Sequence, residues 1–362
     1  MSFLKIHPIA AVVLFLLASC ADRGTDGTVV IKFKEYKEVQ VSSPFEMMGV
    51  EPRYVHLVSD DTDAFFYSDI IRAEYRNNKI YILDKSQEKL LVFRDDGTPS
   101  FKLDYRGRGP NEYLQITDFD VDKEGAIWVA DAQKNRVFKY SDVGKMVESY
   151  PNTNEIIKLC CINDSRFLVG LSNAVSLEEE GTALAVTNPF FETETPLLPH
   201  PTNTDPMFRF TSLLSKGEYG VFYNWPIDDY LYEISYDGKL LNTYYFDFGK
   251  KKVPEEIRND VITHYYTDLS DYLMLNNAYQ VTQDFILCGI RTGGSWYSVV
   301  MDRKNKQITY FNEQASGFML VGCFASGSIW KIEPGSNLDA LPTEVVEWLD
   351  EGDSVIALIT NK

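Results

Sequence analysis

Lys79-Ile-Tyr-Ile-Leu-Asp-Lys-Ser-Gln-Glu-Lys-Leu-Leu-Val-Phe-Arg-Asp-Asp-Gly97 and Ala126-Ile-Trp-Val-Ala-Asp-Ala-Gln-Lys-Asn-Arg-Val-Phe-Lys-Tyr-Ser-Asp-Val-Gly144 are two copies of one pattern. Ile80 aligns with Ile127, Asp84 with Asp131, Phe93 with Tyr140 and Gly97 with Gly144, every offset being 47. A third copy, Tyr230-Leu-Tyr-Glu-Ile-Ser-Tyr-Asp-Gly238, ends 94 residues after Gly144, twice that period. In the first two copies a short run of β-branched and aromatic residues ends on an Asp, a polar turn follows, and a second alternating run comes next; in all three, Asp-Gly or its equivalent closes a tight turn into the following run. The pattern predicts strands of about five residues at hairpin spacing. A sheet this small cannot bury its own face, so the copies must stack. Four strands in about 40 to 50 residues is the pattern of a β-propeller blade.

Six such units follow one another. The first has strands near 70–75, 79–84, 89–93 and 99–103, the second near 116–122, 126–131, 135–140 and 146–150. The third is more divergent and runs from Ile156 through Phe167 and Leu184 to about Leu198; the fourth covers roughly 207–247. The fifth includes Phe285–Cys288, Trp296–Met301 and Ile308–Phe311. The sixth has Phe318–Cys323, Ile329–Ile332 and the apolar Val355–Ile359, and lacks a fourth strand. That strand is expected from the N-terminal region, either Tyr54–Leu57 or Val29–Phe33, so that both chain ends close the ring and leave no long edge. The fold class is therefore all-β, a six-bladed propeller over residues 29–362. Two short helical insertions are expected. One starts at Pro254-Glu-Glu, with proline at the first helical position and Ile257, Val261, Tyr265 and Leu269 four apart. The other is Pro342-Thr-Glu-Val-Val-Glu-Trp-Leu349.

Residues 1–19 read as a lipoprotein signal peptide: Lys5, an apolar stretch from Ile9 to Ala18, then Leu17-Ala18-Ser19-Cys20. The stretch is half of the roughly 20 residues that a membrane span needs. Leu-Ala-Ser-Cys resembles the bacterial lipobox, which implies cleavage before Cys20 and lipid on its thiol. Residues 20–28, small and polar, then form a tether. Cys20 is the lipid attachment and the route to the membrane. Asp22 and Asp26 flanking Arg23 do not assign a side of that membrane.

The 362 residues carry 35 Lys+Arg against 53 Asp+Glu, a formal charge of −18 that becomes −19 when Lys5 leaves with the signal. A hydrophobic content of 44% is that of a folded globular chain. The negative charge, with no basic stripe, argues against a nucleic-acid partner, since phosphate backbones are held by clustered Lys and Arg. Cys160, Cys161, Cys288 and Cys323 sit in apolar runs without a CxxC pair and read as buried free thiols, with a Cys288–Cys323 bridge as the alternative.

Arg106-Gly-Arg-Gly-Pro-Asn-Glu-Tyr113, followed by Ile116-Thr-Asp-Phe-Asp-Val-Asp122 and Ile127-Trp-Val-Ala-Asp131, resembles the Gly-x-Gly-Pro-Gly-Glu-Tyr and strand pattern of six-bladed, NHL-repeat-like β-propeller lipoproteins of the Bacteroidota. Tyr245-Phe-Asp-Phe-Gly-Lys-Lys-Lys-Val-Pro-Glu-Glu256 resembles a second landmark of that family. Asn111 stands where the family usually has glycine. The resemblance spans nearly the whole mature chain and implies fold and export, with a cell-envelope, outer-membrane location. It implies no activity.

Motifs that carry chemistry are sparse. His56, His200 and His264 have no partner at metal-ligand spacing, and no nucleophile elbow or phosphate loop occurs, so no metal, cofactor or catalytic residue is assigned. Ser59-Asp-Asp-Thr-Asp63 and the alternating Asp118, Asp120 and Asp122 read as turn or solvated-face carboxylates. The best candidate ligand-binding residues are Arg106, Arg108, Asn111, Glu112 and Tyr113, in a loop expected at one mouth of the central channel. The two arginines would offer donors to a carboxylate or to sugar hydroxyls. Read structurally, the same stretch is a turn whose glycines supply positive φ, with Pro110 fixing the corner and Tyr113 packing between blades. The chain thus reads as a lipid-anchored envelope module that binds a glycan, peptide or envelope protein. The alternatives are a propeller hydrolase or lyase acting on a carbohydrate or peptide, and an accessory subunit of an outer-membrane nutrient-uptake complex.

Overall fold

The structure is a computed structural model and describes residues 27–58, 65, 70–172, 181–201, 214–225, 227–264, 269–336 and 338–360. The signal peptide, Cys20, Ser59–Asp63 and Tyr265 lie outside the described residues.

Six antiparallel sheets form the six blades of a propeller. Blade 1 spans Arg72–Leu103, blade 2 Asp118–Pro151, blade 3 Ile156–Pro199, blade 4 Ser215–Asp247, blade 5 Met274–Asn312 and blade 6 Phe318–Thr360. Within each of the spans just given the strands run in chain order from the inner strand at the ring axis outward, and N-terminal strands are added at the outer edges of blades 4, 5 and 6. Blade-to-blade connections and the turns between second and third strands therefore share one face, termed the loop face. Turns between first and second strands, and between third and fourth, share the opposite face.

Packing follows the sequence alternation. The second and third strands of each blade present apolar residues to both neighbouring blades, and six hydrophobic clusters occupy the six blade-to-blade interfaces, from the blade 1/2 cluster around Tyr81, Tyr113 and Phe138 to the blade 6/1 cluster around Val55, Ile80 and Ile356. The repeated glycine has two physical reasons. Gly97, Gly144 and Gly238 adopt φ of 84°, 77° and 80° in equivalent turns, where each amide donates to the carbonyl three residues back at 2.8–3.0 Å. A β-carbon there would also strike the preceding blade: His56 O for Gly97, the Phe101 ring for Gly144 and Val186 for Gly238. Only glycine meets both demands.

Arg53–Leu57 is the strand that closes the ring. It pairs antiparallel with Ser354–Thr360 as the outer strand of blade 6. Val29–Lys32, the other candidate, does something the pattern did not predict: it pairs in parallel with Tyr244–Asp247 as a fifth strand on blade 4. Lys37 and Glu38 then pair in parallel with Gln307 and Ile308 at the edge of blade 5. The N-terminal segment is thus a strap over the outer edges of blades 4, 5 and 6. Between the last two, Pro44–Met48 forms one helical turn. Ser43 Oγ caps it by accepting from Glu46 N at 3.2 Å, Glu46 reaches back to Ser42 N at 3.0 Å, and Gly49 ends it at φ 64°.

The insertion after blade 4 is not one continuous helix but two four-residue turns, Glu255–Arg258 and Val261–His264. The buried Arg258 locks it down, donating to Ile227 O at 2.6 Å and pairing with Asp229 at 2.9 Å. Thr343–Asp350 is the second expected helix, with Val345 and Leu349 packed into the blade 5/6 cluster. A further turn, Glu313–Ser316, links blades 5 and 6.

Candidate functional site

The Arg106–Tyr113 loop joins the outer strand of blade 1 to the inner strand of blade 2 on the loop face. Its two ends are bridged: Gly107 N donates to Tyr113 O at 2.9 Å and Tyr113 N to Tyr105 O at 3.1 Å. Inside the turn, Glu112 Oε2 accepts from Gly109 N at 2.7 Å. Lys134 of blade 2 donates to Gly109 O at 2.8 Å and Glu112 O at 2.5 Å. Gly107 and Gly109 do not adopt positive φ; a β-carbon on Gly107 would lie 2.0 Å from the Glu112 carboxylate and push it from its place in the turn. Tyr113 is buried in the blade 1/2 cluster, and its hydroxyl lies 3.0 Å from both Leu103 O and Glu88 O and accepts from Tyr105 N at 3.1 Å. Burial pushes this phenol far up in pKa.

The five candidate residues therefore separate by role. Glu112 and Tyr113 have their polar atoms engaged in building the loop. Arg106, Arg108 and Asn111 are exposed, and among the described residues their side chains make no hydrogen bond or ion pair. A rigid turn with two free guanidinium groups can present planar, bidentate donors without first breaking internal pairs.

Below this rim, the ring axis is filled with buried charge that the sequence reading missed. Asp118 and Asp120 do not form a solvated face. Both are buried on the inner strand of blade 2, with Arg72 paired to Asp118 and Lys216 Nζ 2.5 Å from Asp120 Oδ1. Lys216 also reaches Glu74 of blade 1 at 3.3 Å. The other carboxylate oxygens accept from the inner strand of blade 3: Leu159 N to Asp118 at 2.9 Å and Cys161 N to Asp120 at 2.5 Å. Burial opposes the charges of Arg72 and Lys216, yet the surrounding carboxylates outweigh it and raise both pKa values. Burial also opposes ionisation of Asp120, but Lys216 and Arg72 hold it below its usual range; Glu74, with weaker compensation beside Asp120, is raised. Lys158 of blade 3 is 4% exposed, and burial drives its pKa down against the pull of Asp118. Arg72 and Asp118 are 46 residues apart, close to one repeat, so they occupy matching positions on adjacent blades. The alternating aspartates were the visible half of this network; Arg72 stands one repeat away, whereas Lys216 comes from a two-residue strand that no local pattern links to them. Asp122, at the end of that strand, instead accepts from Ala126 N at 2.8 Å and Trp128 Nε1 at 2.9 Å.

The three histidines are dispersed. His56 lies 2.8 Å from Asp353 and stacks on Trp348, His200 packs edge-on to Trp225 with its pKa lowered by burial, and His264 ends the second turn of the insertion. Among the described residues no group of three or more His, Cys, Asp or Glu side chains is placed to hold a metal ion. Cys160, Cys161, Cys288 and Cys323 are free thiols, and burial pushes their pKa values up. Cys288 packs in the blade 4/5 cluster and Cys323 in the blade 5/6 cluster.

Residues 28–334 match the family described as a domain of unknown function, DUF4934. No curated protein matches the chain. Among solved structures, a protein of Bacteroides fragilis designated as exported is similar over 92% of this chain and 100% of its own, with a TM-score of 0.73 at 16% identity. A DUF4221-family member from Bacteroides vulgatus is similar over 86% of this chain and 97% of its own, with a TM-score of 0.51 at 11% identity. At these identities the likeness is one of fold.

Proposed function

The chain belongs to the DUF4934 family, and from that premise we propose that it is a lipid-anchored β-propeller of the cell envelope that binds a ligand or partner protein through its loop face. The observation that carries this reading is the pair Arg106 and Arg108, exposed and unpartnered among the described residues on a turn held by the engaged polar groups of Glu112, Tyr113 and Lys134. Two guanidinium groups held this way suit a carboxylate or the hydroxyls of a glycan. The lipobox at Cys20 supports anchoring in the envelope, and the export designation of the Bacteroides fragilis structure agrees with it. The Arg72, Lys216, Asp118, Asp120 and Glu74 cluster supports a rigid binding platform, since its members neutralise one another at the axis.

A glycan, peptide and metabolite binding screen of the mature chain, repeated with Arg106→Ala/Arg108→Ala, tests the loop. Binding is expected to weaken at least tenfold with little change in melting temperature; a ligand held equally by wild type and variant would count against the loop. Cys20→Ser is expected to abolish incorporation of labelled lipid, and persistence of label would remove the anchor. Recovery of stoichiometric envelope partners in mild detergent would move the reading toward the accessory-subunit alternative.

A further inference from the structure

We propose that the face opposite the Arg106–Tyr113 loop carries a separate binding site for a neutral, hydroxyl-rich ligand, a short saccharide, in the cavity shared by blades 4, 5 and 6. The turns joining first and second strands of these blades surround a cavity of about 640 Å³, a size typical of small-molecule sites. Met48 and Val50 of the strap form part of its wall.

The floor is built from polar groups that the fold leaves incomplete. Gln280, near the end of the inner strand of blade 5, is only 5% exposed and lines the cavity, yet its amide makes no hydrogen bond among the described residues. The amide is not sealed into the core but opens onto the cavity, where a ligand can take the place of water as its partner. The backbone is shaped around it: the pairing of this strand with its neighbour shifts register between Ala278 and Gln280. As a result Ala278 and Val281, three apart, both pack in the blade 4/5 cluster, which strict alternation would put on opposite faces. Beside it, the buried Glu233 accepts from Asn242 Nδ2 at 2.7 Å and Tyr244 OH at 2.9 Å, both on Oε2, so Oε1 has no protein donor among the described residues.

The chemistry of these groups selects the ligand. Amides of Gln280, Asn242 and Gln283 each offer donor and acceptor, matching hydroxyls that are both at once. Glu218, Glu233 and Asp284 outnumber Arg303 in the lining, so carboxylate, phosphate and sulfate ligands are disfavoured. The Glu233 carboxylate is held on Oε2 by Asn242 and Tyr244, which leaves Oε1 to accept from a ligand hydroxyl. At the rim Tyr219 is 68% exposed, a flat apolar surface suited to the C–H face of a sugar ring.

The test is calorimetric titration of the purified, exported form of the chain in mild detergent with maltose, cellobiose, lactose and N-acetylglucosamine, using glucuronate and spermidine as charged comparators. At least one neutral sugar is expected to bind, with affinity falling at least tenfold in Gln280→Leu and in Tyr219→Ala and unchanged in Arg106→Ala/Arg108→Ala. Tyr219→Ala, altering an exposed ring, keeps the test valid if Gln280→Leu does not fold. No binding by any neutral sugar, binding unaffected by either cavity variant, tighter binding of glucuronate or spermidine, or loss in the arginine variant instead would overturn the assignment. That last outcome would credit the loop face, so the two readings fail separately.

Discussion

Lys216 of blade 4 and Asp120 of blade 2 are 96 residues apart in the chain, yet their charged atoms meet 2.5 Å apart at the ring axis with both side chains buried. With Glu74 of blade 1 also in reach of the same ammonium, one cation ties three blades together. Replacing it leaves two carboxylates buried without their main counter-charge. Lys216→Met is expected to lower the unfolding free energy by about 3–5 kcal/mol, measured by chemical denaturation. Adding Glu74→Gln and Asp120→Asn should recover part of the loss; a single variant as stable as wild type would show that the axis does not depend on this charge.

Two glycines separate backbone strain from collision. Gly352 adopts φ 87°, and a β-carbon added there would have nothing within 4 Å, so Gly352→Ala should cost about 1–2 kcal/mol from the left-handed backbone alone. Gly144 has φ 77° and would also drive a β-carbon to 2.6 Å from the Phe101 ring. Gly144→Ala is expected to cost about 2–4 kcal/mol in the same denaturation assay. Equal costs would mean the blade 1/2 contact yields freely.

Asp228, in the turn beneath the insertion, has its carboxyl pushed up to about 6 by burial, with Arg258 pulling it down and Asp229 pushing it further up. Between the ordinary value of 3.8 and about 6 the folded state keeps a proton that the unfolded state has released. Stability from this group is therefore present at low pH and lost as pH rises through that window, by up to about 3 kcal/mol. Asp228→Asn should raise the melting temperature at pH 7.5, and the difference from wild type should vanish near pH 4. A pH-independent difference would contradict the assignment.

Within the Arg106–Tyr113 loop, Glu112 and Arg108 should respond in opposite ways. Glu112→Ala removes the acceptor of Gly109 N and is expected to destabilise by about 1–2 kcal/mol. Arg108→Ala, losing no internal contact among the described residues, should leave the melting temperature within about a degree. Similar losses in both variants would make the arginine structural.

Much of this fold was legible because its repeat is local. Ile80 and Ile127, or Gly97 and Gly144, answer to the same turn and the equivalent interface in successive blades, so three clear copies set the spacing on which the other units were placed. The path of Val29–Lys32 was not legible: an apolar run of four residues states that it wants a sheet edge, and blades 4 and 6 both offer one. The axial charges were half visible for a related reason. Asp118 and Asp120 alternate as strand residues do, whereas Lys216 sits 96 residues from Asp120 in a two-residue strand that carries little pattern of its own. Gln280 had no signal in the sequence, because its significance lies in the register shift beside it and in what three blades enclose together.

Shortening the N-terminal end separates the parts of the strap. Removal through Tyr36 takes away the fifth strand of blade 4 with the Phe33 and Tyr36 rings packed on the blade 4/5 cluster, and is expected to leave a folded ring with a lower melting temperature. Removal through Leu57 also takes the outer strand of blade 6, and the chain should then unfold or associate through the open edge, detectable by circular dichroism and light scattering. A monomeric, fully folded product of the longer deletion would show that the ring closes without its N-terminal strand.

The strap also decides how the molecule bears load. Tension applied at the N-terminal end first meets the four paired residues on blade 4, then Lys37 and Glu38 on blade 5, and only afterwards Arg53–Leu57. Because those first ladders run parallel to the edges they grip, a pull along the strap loads them in shear, with their bonds resisting together. The segment works as a cable clamp: load applied at the N-terminal end is borne by these two ladders before it reaches the strand that closes the ring.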